Sequence, residues 1–205
     1  MKMILGKKIG MTRIFDKEGN VIPVTLIQAG PCFVTQIKRK KNDGYDAVQI
    51  GFDRARKLNR PEQGHLKKLG KDLANLKYLK EFRVENPDEF KEGQKITVEL
   101  FKEGDKVSII SFSKGRGFAG VVKRHGFHGQ SQTHGHKHDI RKPGSIGSGF
   151  PEHVIKGMRM AGRMGTNQVT LRNMEIVKVN KEKNLIAVKG GVAGARNGLV
   201  RIVCK

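Results

Sequence analysis

The sequence predicts a mainly β fold, a small antiparallel barrel or sandwich that carries a long basic segment. Short β-prone runs separated by turn residues fill roughly the first fifty residues and return in roughly the last forty. Between them, residues 113–165 contain ten Lys or Arg, two acids and twelve glycines, with too few apolar side chains to build a core. The simplest architecture therefore closes the last strands onto the first ones and leaves the basic segment outside their core.

The predicted strands are bounded by residues that favour tight turns. Residues 16–20 and 42–44 supply Asp, Asn and Gly, while Gly30 and Pro31 interrupt the chain between strands. Further turns are expected at 180–184 and at Gly190. The strands predicted on this basis cover residues 11–15, 21–28, 33–37, 46–52, 173–179, 185–188 and 199–203.

Residues 58–101 follow a different pattern. Pro61 suits the first position of a helix, and Leu66, Leu69 and Leu73 follow at spacings of three and four residues. Short strands are predicted at 81–84 and 95–100. The sequence therefore predicts a small α+β insert in this region.

The charge balance indicates a polyanionic partner. The chain carries 41 Lys and Arg against 19 Asp and Glu, for a net charge of +22, which cannot be neutralised within the fold. Nucleic acid is the first candidate partner and an anionic membrane surface the second. Aromatic residues are few, which favours a folded RNA or a duplex bound through its backbone over a stacked single strand.

Other classes of site receive little support from the sequence. No apolar run is long enough to span a bilayer, and residues 1–10 lack the apolar region of a secretory signal. Cys32 and Cys204 lie far apart and form neither a disulfide framework nor a zinc motif, which fits a reducing cytoplasm. We predict no cofactor and no metal.

The run SKGRGFAGVVKR at residues 113–124 carries the most specific signal. Lys114, Arg116, Lys123 and Arg124 can contact phosphates, and the glycines between them allow the backbone to approach a sugar–phosphate strand. Phe118 is either a wedge against bases or a packing anchor. The run contains no GxxxxGK pattern, and although GRGFAG at 115–120 spells GxGxxG, nucleotide binding receives little support from the sequence.

This run resembles the signature of the ribosomal protein L three family of large-subunit proteins, in its bacterial form. Four further stretches follow the family's order: GKKIGMTRIF at 6–15, THG at 133–135, PGSIG at 143–147 and KGMRMAGRMG at 156–165. The resemblance covers essentially the whole chain with several independent motifs.

The resemblance implies a six-stranded antiparallel barrel of the translation-factor type, with a small α+β insert and a long basic extended loop. The division expected is barrel at residues 1–57, 102–124 and 166–205, insert at 58–101, and extended loop at 125–165. The loop would run inward towards the peptidyl transferase centre with its tip near 142–151. We expect the loop to take its shape from its partner.

The function implied is that of a structural constituent of the large ribosomal subunit. Family members bind large-subunit ribosomal RNA near its 3′ end, act early in assembly, and neighbour ribosomal proteins L fourteen and L nineteen. This predicts a cytoplasmic protein of the ribosome that is neither an enzyme nor a homo-oligomer and has no membrane partner. The RNA-binding residues predicted are Lys114, Arg116, Lys123, Arg124, His125, His134, Lys137, Arg141, Lys142, Ser145, Lys156, Arg159 and Arg163.

Two positions depart from the family pattern. Some relatives carry a methylated glutamine just after the SIG of PGSIG, but residues 145–153 contain no glutamine, so we expect no such methylation. Many relatives have a histidine before the arginine that precedes PGSIG. Here Ile140 precedes Arg141, and any hydrogen bond from that histidine is missing.

Three other kinds of site or function fit parts of the sequence. His134, His136 and His138 could bind a metal, but three ligands on one flexible strand form a weak site. Asp139 and Glu152 could act as acids, but each lies among cations, which favour the ionised form. A DNA-binding protein fits the charge, although no major-groove reading motif is present. The charge run at 38–41, with Arg54 and the cations after it, is a solvated face or a second RNA contact.

Overall fold

The structure is a computed structural model that describes residues 2–70 and 73–204. Two compact units are present: residues 2–112 together with 168–204, and residues 113–167, which we call the extension. In chain order the strands and helices are β1 (Lys2–Phe15), β2 (Val21–Ala29), β3 (Cys32–Lys38), α1 (Lys40–Asp43), β4 (Ala47–Arg54), α2 (Arg60–Leu66), β5 (Leu76–Arg83), β6 (Lys95–Ile96), β7 (Lys106–Phe112), β8 (Phe118–Ala119), α3 (Val121–His125), β9 (Gly162–Arg163), β10 (Gln168–Asn180), β11 (Leu185–Lys189) and β12 (Leu199–Cys204).

Six strands of the first unit form a closed barrel in the order β1-β12-β7-β10-β11-β2. Every neighbouring pair is antiparallel, and the first strand pairs with the last. In β7 the buried residues Val107, Ile109 and Ser111 alternate with outward-facing ones, which is the pattern of a strand with one face in a core. The prediction of a mainly β protein with a six-stranded antiparallel barrel is confirmed.

The barrel core is aliphatic. Ile202 pairs with Ile4 on one side and with Ile109 on the other, and all three side chains are completely buried. Ile27, Ile176 and Ile186 belong to the same buried cluster. Burial of these branched side chains removes apolar surface from water and fixes the register, because a shift by one residue would turn each strand's apolar face outward.

The hairpin of β1 and β2 follows the predicted turn. The Asp16 amide donates to the Asn20 carbonyl at 2.9 Å, and the Gly19 amide donates to the Asp16 carbonyl at 3.0 Å. Gly19 has a φ of 83°, a conformation that a glycine adopts without steric penalty. Phe15 and Val21 pair directly across the turn, so the predicted strand boundaries are correct at this position.

The second sheet of this unit differs from the predicted division of the chain. Its four strands lie in the order β5-β4-β3-β6, so β3 and β4, which we expected in the barrel within residues 1–57, pair with β5 and β6 of the insert. The physical reason is that β3 and β4 bury apolar side chains against strands of both regions, including Val34, Ile50 and Phe82. Sequence periodicity reports that a strand is half buried, but not which strand pairs with it.

The insert contains less regular structure than predicted. Helix α2 begins at Arg60, with Pro61 in its first turn, and the Glu62 carboxylate accepts from the Asn59 amide at 3.0 Å. Leu66 is buried as expected, but Leu69 lies in a 3₁₀ turn, and residues 71 and 72 of the predicted helix lie outside the described residues. The strand expected at 95–100 is limited to two residues, followed by a 3₁₀ turn at Val98–Leu100.

Cys32 belongs to the apolar core rather than to a reactive site. Its sulfur lies 3.4 Å from both the amide nitrogen and the carbonyl oxygen of Leu5. Burial raises the pKa of the Cys32 thiol to about 12, because the core disfavours the charged thiolate. This cysteine is therefore neutral at physiological pH.

A polar triad on the second sheet gives the stability of this unit a pH dependence. The Lys38 ammonium contacts the Glu81 carboxylate at 2.8 Å and donates to the Tyr45 hydroxyl at 2.9 Å, and that hydroxyl donates to Glu81 at 2.8 Å. The hydrogen bond from Lys38 holds the pKa of Glu81 below its usual range, and the same contact raises the pKa of Lys38. The stabilisation from Glu81 is therefore present above its unfolded pKa and is lost as pH falls through its folded pKa.

We expect Glu81→Gln to reduce the pH dependence of unfolding in acid. From neutral pH down to about pH 3, the melting temperature of the wild type should fall further than that of the variant, because glutamine has no proton to gain. The effect should be modest, since a third of the Glu81 side chain is exposed and solvent screens the pair. Thermal unfolding at several pH values measures it, and parallel curves for the two proteins would contradict it.

In the part of the chain that the structure describes, no helix combines the length and apolar character required to cross a bilayer.

Candidate nucleic-acid interface

A short ladder of backbone hydrogen bonds closes the base of the extension. The Ser113 amide donates to the Asn167 carbonyl, the Arg116 amide to the Met164 carbonyl, and the Met164 amide to the Gly117 carbonyl, each at 2.9 Å. The two-residue strands β8 and β9 continue this pairing, with Phe118 opposite Arg163. The two ends of the extension therefore form a narrow antiparallel ribbon.

Helix α3 ties the two sides of the ribbon together. The Arg124 guanidinium donates to the Met160 carbonyl at 2.6 Å, and the Nε2 atom of His125 lies 3.1 Å from the same oxygen. The second contact requires the histidine tautomer that carries its hydrogen on Nε2. The guanidinium also packs against Gly162, at the position that a Cβ atom would occupy there.

Two glycines allow close backbone approach within the extension. A Cβ atom at Gly165 would overlap the Lys114 carbonyl oxygen, and one at Gly129 would overlap the Ile140 carbonyl oxygen. Both residues also have a positive φ, of 79° and 75°. Residues with a side chain are strained in this conformation, so the two contacts and the two backbone angles both require glycine.

The extension has almost no core. Of residues 113–167, only Ala119 and Val121 are buried. All ten Lys and Arg side chains of this segment are exposed. Within this unit, every residue of which the structure describes, the one ion pair joins Lys142 to Asp139 at 2.6 Å. The positive charge of the extension is therefore presented to its surroundings largely without compensation.

The structure places every predicted RNA-binding residue in this unit. All of them are exposed except His125, which is half buried against the Met160 carbonyl. Lys114, Arg116 and Arg163 lie on the ribbon, and Lys123, Arg124 and His125 lie on α3. The remaining predicted residues lie on the irregular part of the extension: His134, Lys137, Arg141, Lys142, Ser145, Lys156 and Arg159.

The boundary of the extension differs from the predicted one. Residues 113–124 were expected to belong to the barrel and 125–165 to the loop, but the compact unit begins at Ser113 and ends at Asn167. The cause is the backbone ladder, which pairs 113–119 with 162–167 rather than with a barrel strand. The signature run SKGRGFAGVVKR is therefore part of the extension.

The histidines and acids of the extension do not form a metal site. Among residues 2–70 and 73–204, no group of three or more His, Cys, Asp or Glu side chains is arranged to hold a metal ion. The hydrogen bond from Lys142 holds the pKa of Asp139 below its usual range, so this carboxyl is ionised at neutral pH. A group in that state is a poor general acid.

Two phenylalanines outside the predicted set of RNA-binding residues are highly exposed, and one of them, Phe118, is the residue that the sequence offered as a wedge or a packing anchor. Phe118 is 81% exposed and Phe150 is 86% exposed. The sequence signal for an exposed aromatic residue is an apolar ring within a run of glycines and cations. Phe118, within KGRGFAG, has this signal. Ring exposure itself depends on which side of the ribbon the residue occupies, and the sequence does not specify that side.

Comparison with known proteins identifies the family. The family model described as "Ribosomal protein L3" matches residues 81–185, which include the whole extension. The chain is 57% identical to large ribosomal subunit protein uL3 of Thermosipho africanus, over 98% of this chain and 97% of that protein. The chain belongs to the uL3 family.

Other uL3 relatives match at similar levels. Identity is 51% to the Herpetosiphon aurantiacus protein, over 97% of this chain and 94% of the relative, and 51% to the Thermotoga maritima protein, over 98% and 96%. The predicted resemblance is thereby confirmed. The chain is accordingly a structural protein of the large ribosomal subunit, so the prediction of a non-enzymatic ribosomal protein is also confirmed.

Proposed function

We propose that this chain binds and locks large-subunit ribosomal RNA through its extension, by charge neutralisation and recognition of RNA shape. The observation that carries the proposal is the coreless unit of residues 113–167, which exposes ten cations and buries two residues. Such a unit gains nothing from self-association, because its charges repel one another. A folded polyanion such as RNA neutralises those charges.

The arrangement of the extension supports recognition of the RNA sugar–phosphate backbone, rather than of base edges, over most of its length. The cations are spread over the ribbon, helix α3 and the irregular part, and so could follow a phosphate path through folded RNA. Exposed arginines can form two parallel hydrogen bonds to one phosphate, which fixes orientation as well as charge. Glycines between them leave room for a sugar–phosphate strand to approach the backbone.

In the assembled subunit, we propose that the extension runs inward towards the peptidyl transferase centre, with residues near 142–151 at its tip. The chain would bind near the 3′ end of large-subunit rRNA and nucleate early assembly. Its expected neighbours are ribosomal proteins L fourteen and L nineteen, and we expect it not to form a homo-oligomer. These finer assignments follow from the resemblance to the family and from the coreless, cationic character of the extension.

Salt-dependent binding of the purified protein to large-subunit rRNA tests the proposal. Because ion-pair contacts release counterions, we expect the logarithm of the affinity to fall with the logarithm of salt concentration with a slope of several units. Duplex DNA of equal length serves as the competitor and should bind more weakly. A flat salt response, or equal affinity for the DNA, would overturn the proposed mechanism.

A further inference from the structure

We propose that Phe118 is a stacking platform for an unpaired RNA base. This ligand differs chemically from the phosphates that the neighbouring cations bind. The inference rests on the proposed function and deepens it, because it names the part of the RNA that one residue of the extension contacts.

The exposure of Phe118 is the first observation behind this inference. The ring is 81% exposed, while Ala119, the next residue on the same strand, is buried. Successive side chains on a strand point to opposite faces, so Phe118 points away from the side on which Ala119 is buried. The fold of this chain therefore leaves an entire aromatic face in water, and contact with a partner would remove that apolar surface from solvent.

The backbone beneath the ring is held on both sides. The Met164 amide donates to the carbonyl of Gly117, directly before Phe118, and Phe118 pairs with Arg163 across the ribbon. The hydrogen bond from Arg124 to the carbonyl of Met160, three residues before Arg163, holds the two sides of the ribbon together beyond that pair. A ring carried on a hydrogen-bonded ribbon loses little conformational entropy on binding, which distinguishes it from an exposed ring on a mobile loop.

The charges around Phe118 select a nucleotide over an apolar protein surface. Arg163 lies directly opposite on the same face of the ribbon, and Arg116 precedes the ring by two residues. Both side chains are exposed, and within the fully described extension neither forms an ion pair. An apolar protein partner would take these guanidinium groups out of water without neutralising them. An unpaired nucleotide brings a flat base for the ring and its own phosphate for the arginines.

Binding of full-length variants to large-subunit rRNA separates stacking from charge. We expect Phe118→Leu to weaken binding about 5- to 100-fold, because leucine keeps an apolar side chain but cannot stack. The slope of affinity against salt should not change, since no charge is removed. Arg163→Gln is the contrasting variant and should reduce that slope by about one unit. Wild-type affinity for Phe118→Leu would overturn the inference.

Fluorescence gives a second readout that does not depend on total affinity. The chain contains no tryptophan, so the indole introduced by Phe118→Trp is its only one. We expect a short single-stranded RNA to quench this indole strongly and the matching fully paired duplex to quench it weakly. Phe15→Trp, on the exposed end of β1, is the control and should respond to neither RNA.

The outcomes distinguish this inference from the proposed function. Equal quenching by the single strand and the duplex, or an equal response from the Phe15→Trp control, would overturn the role of Phe118. If the Phe118 test fails but wild-type binding still depends steeply on salt, the proposed function is retained. A flat salt response in the wild type would instead reject the proposed function.

Discussion

Simultaneous replacement of Arg116, Arg159 and Arg163 by glutamine should weaken binding to large-subunit rRNA by about a hundredfold at moderate salt. All three side chains are exposed, and glutamine keeps a polar chain of similar length while removing the charge. Each lost phosphate contact removes roughly 0.7–0.9 from the slope of log affinity against log salt. The triple variant should therefore show a slope about two to three units shallower than the wild type, measured by filter binding over a salt series.

The matched control removes the same amount of charge from the other unit. Lys17, Lys91 and Lys181 are exposed residues of turns and loops in that unit, and their replacement by glutamine gives an equal net charge. If only the total charge of the protein mattered, the two triple variants would bind alike. Equal losses would contradict the assignment of the extension as the main RNA contact.

Ile202→Ala should destabilise the barrel by about 2–5 kcal/mol. Ile202 is completely buried and pairs with Ile4 and Ile109, so truncation leaves a cavity that three neighbouring strands border. Domains of this kind are stable by only about 5–15 kcal/mol, so the loss is a large fraction of the total. Urea unfolding followed by circular dichroism measures it as a lower transition midpoint with an unchanged slope.

Ile202→Val is the graded control for this prediction. It removes one methyl group and should cost about 0.5–1.5 kcal/mol, because the valine fills most of the same space. A loss below about 0.5 kcal/mol for Ile202→Ala would mean that the barrel collapses around the cavity, contrary to the rigid packing inferred here.

Local features of the fold were predictable because they depend on few residues. The turn at 16–20 and the break at Gly30 and Pro31 are encoded by residue types that favour these conformations wherever they occur. Where a turn was expected at 42–44, the structure has the end of the single-turn helix α1, followed by Gly44 in the left-handed conformation. Glycine therefore marked correctly where the chain reverses, although the element there is a short helix.

Pairing between distant strands was not predictable in the same way. Strands β3 and β4 were correctly predicted as strands but wrongly placed in the barrel, because their partners β5 and β6 are specified by tertiary packing. The same limit explains the extension boundary: nothing local in 113–119 indicates that it pairs with 162–167. Composition alone predicted that this region would lack a core, since burial requires apolar residues that it does not contain.

For the site residues, exposure was predictable from the sequence, but individual contacts within the fold were not. Exposure of the cations was predictable from their number, since so many charges cannot be buried or paired. Arg124 and His125 were predicted as RNA contacts, and both contact the Met160 carbonyl, 36 and 35 residues away along the chain. Their contact with RNA stays a prediction. Their hydrogen bonds across the ribbon could be found only from the folded structure.

The pairing of β1 with β12 has a consequence for the order of events during synthesis. Lys2 of β1 pairs with Cys204 of β12, so the barrel cannot close until β12 has left the ribosome that synthesises it. Residues 113–167 emerge well before that moment. In a newly made molecule the cationic extension is therefore exposed before the barrel can close. Polyanions near the site of synthesis can bind the extension during that interval.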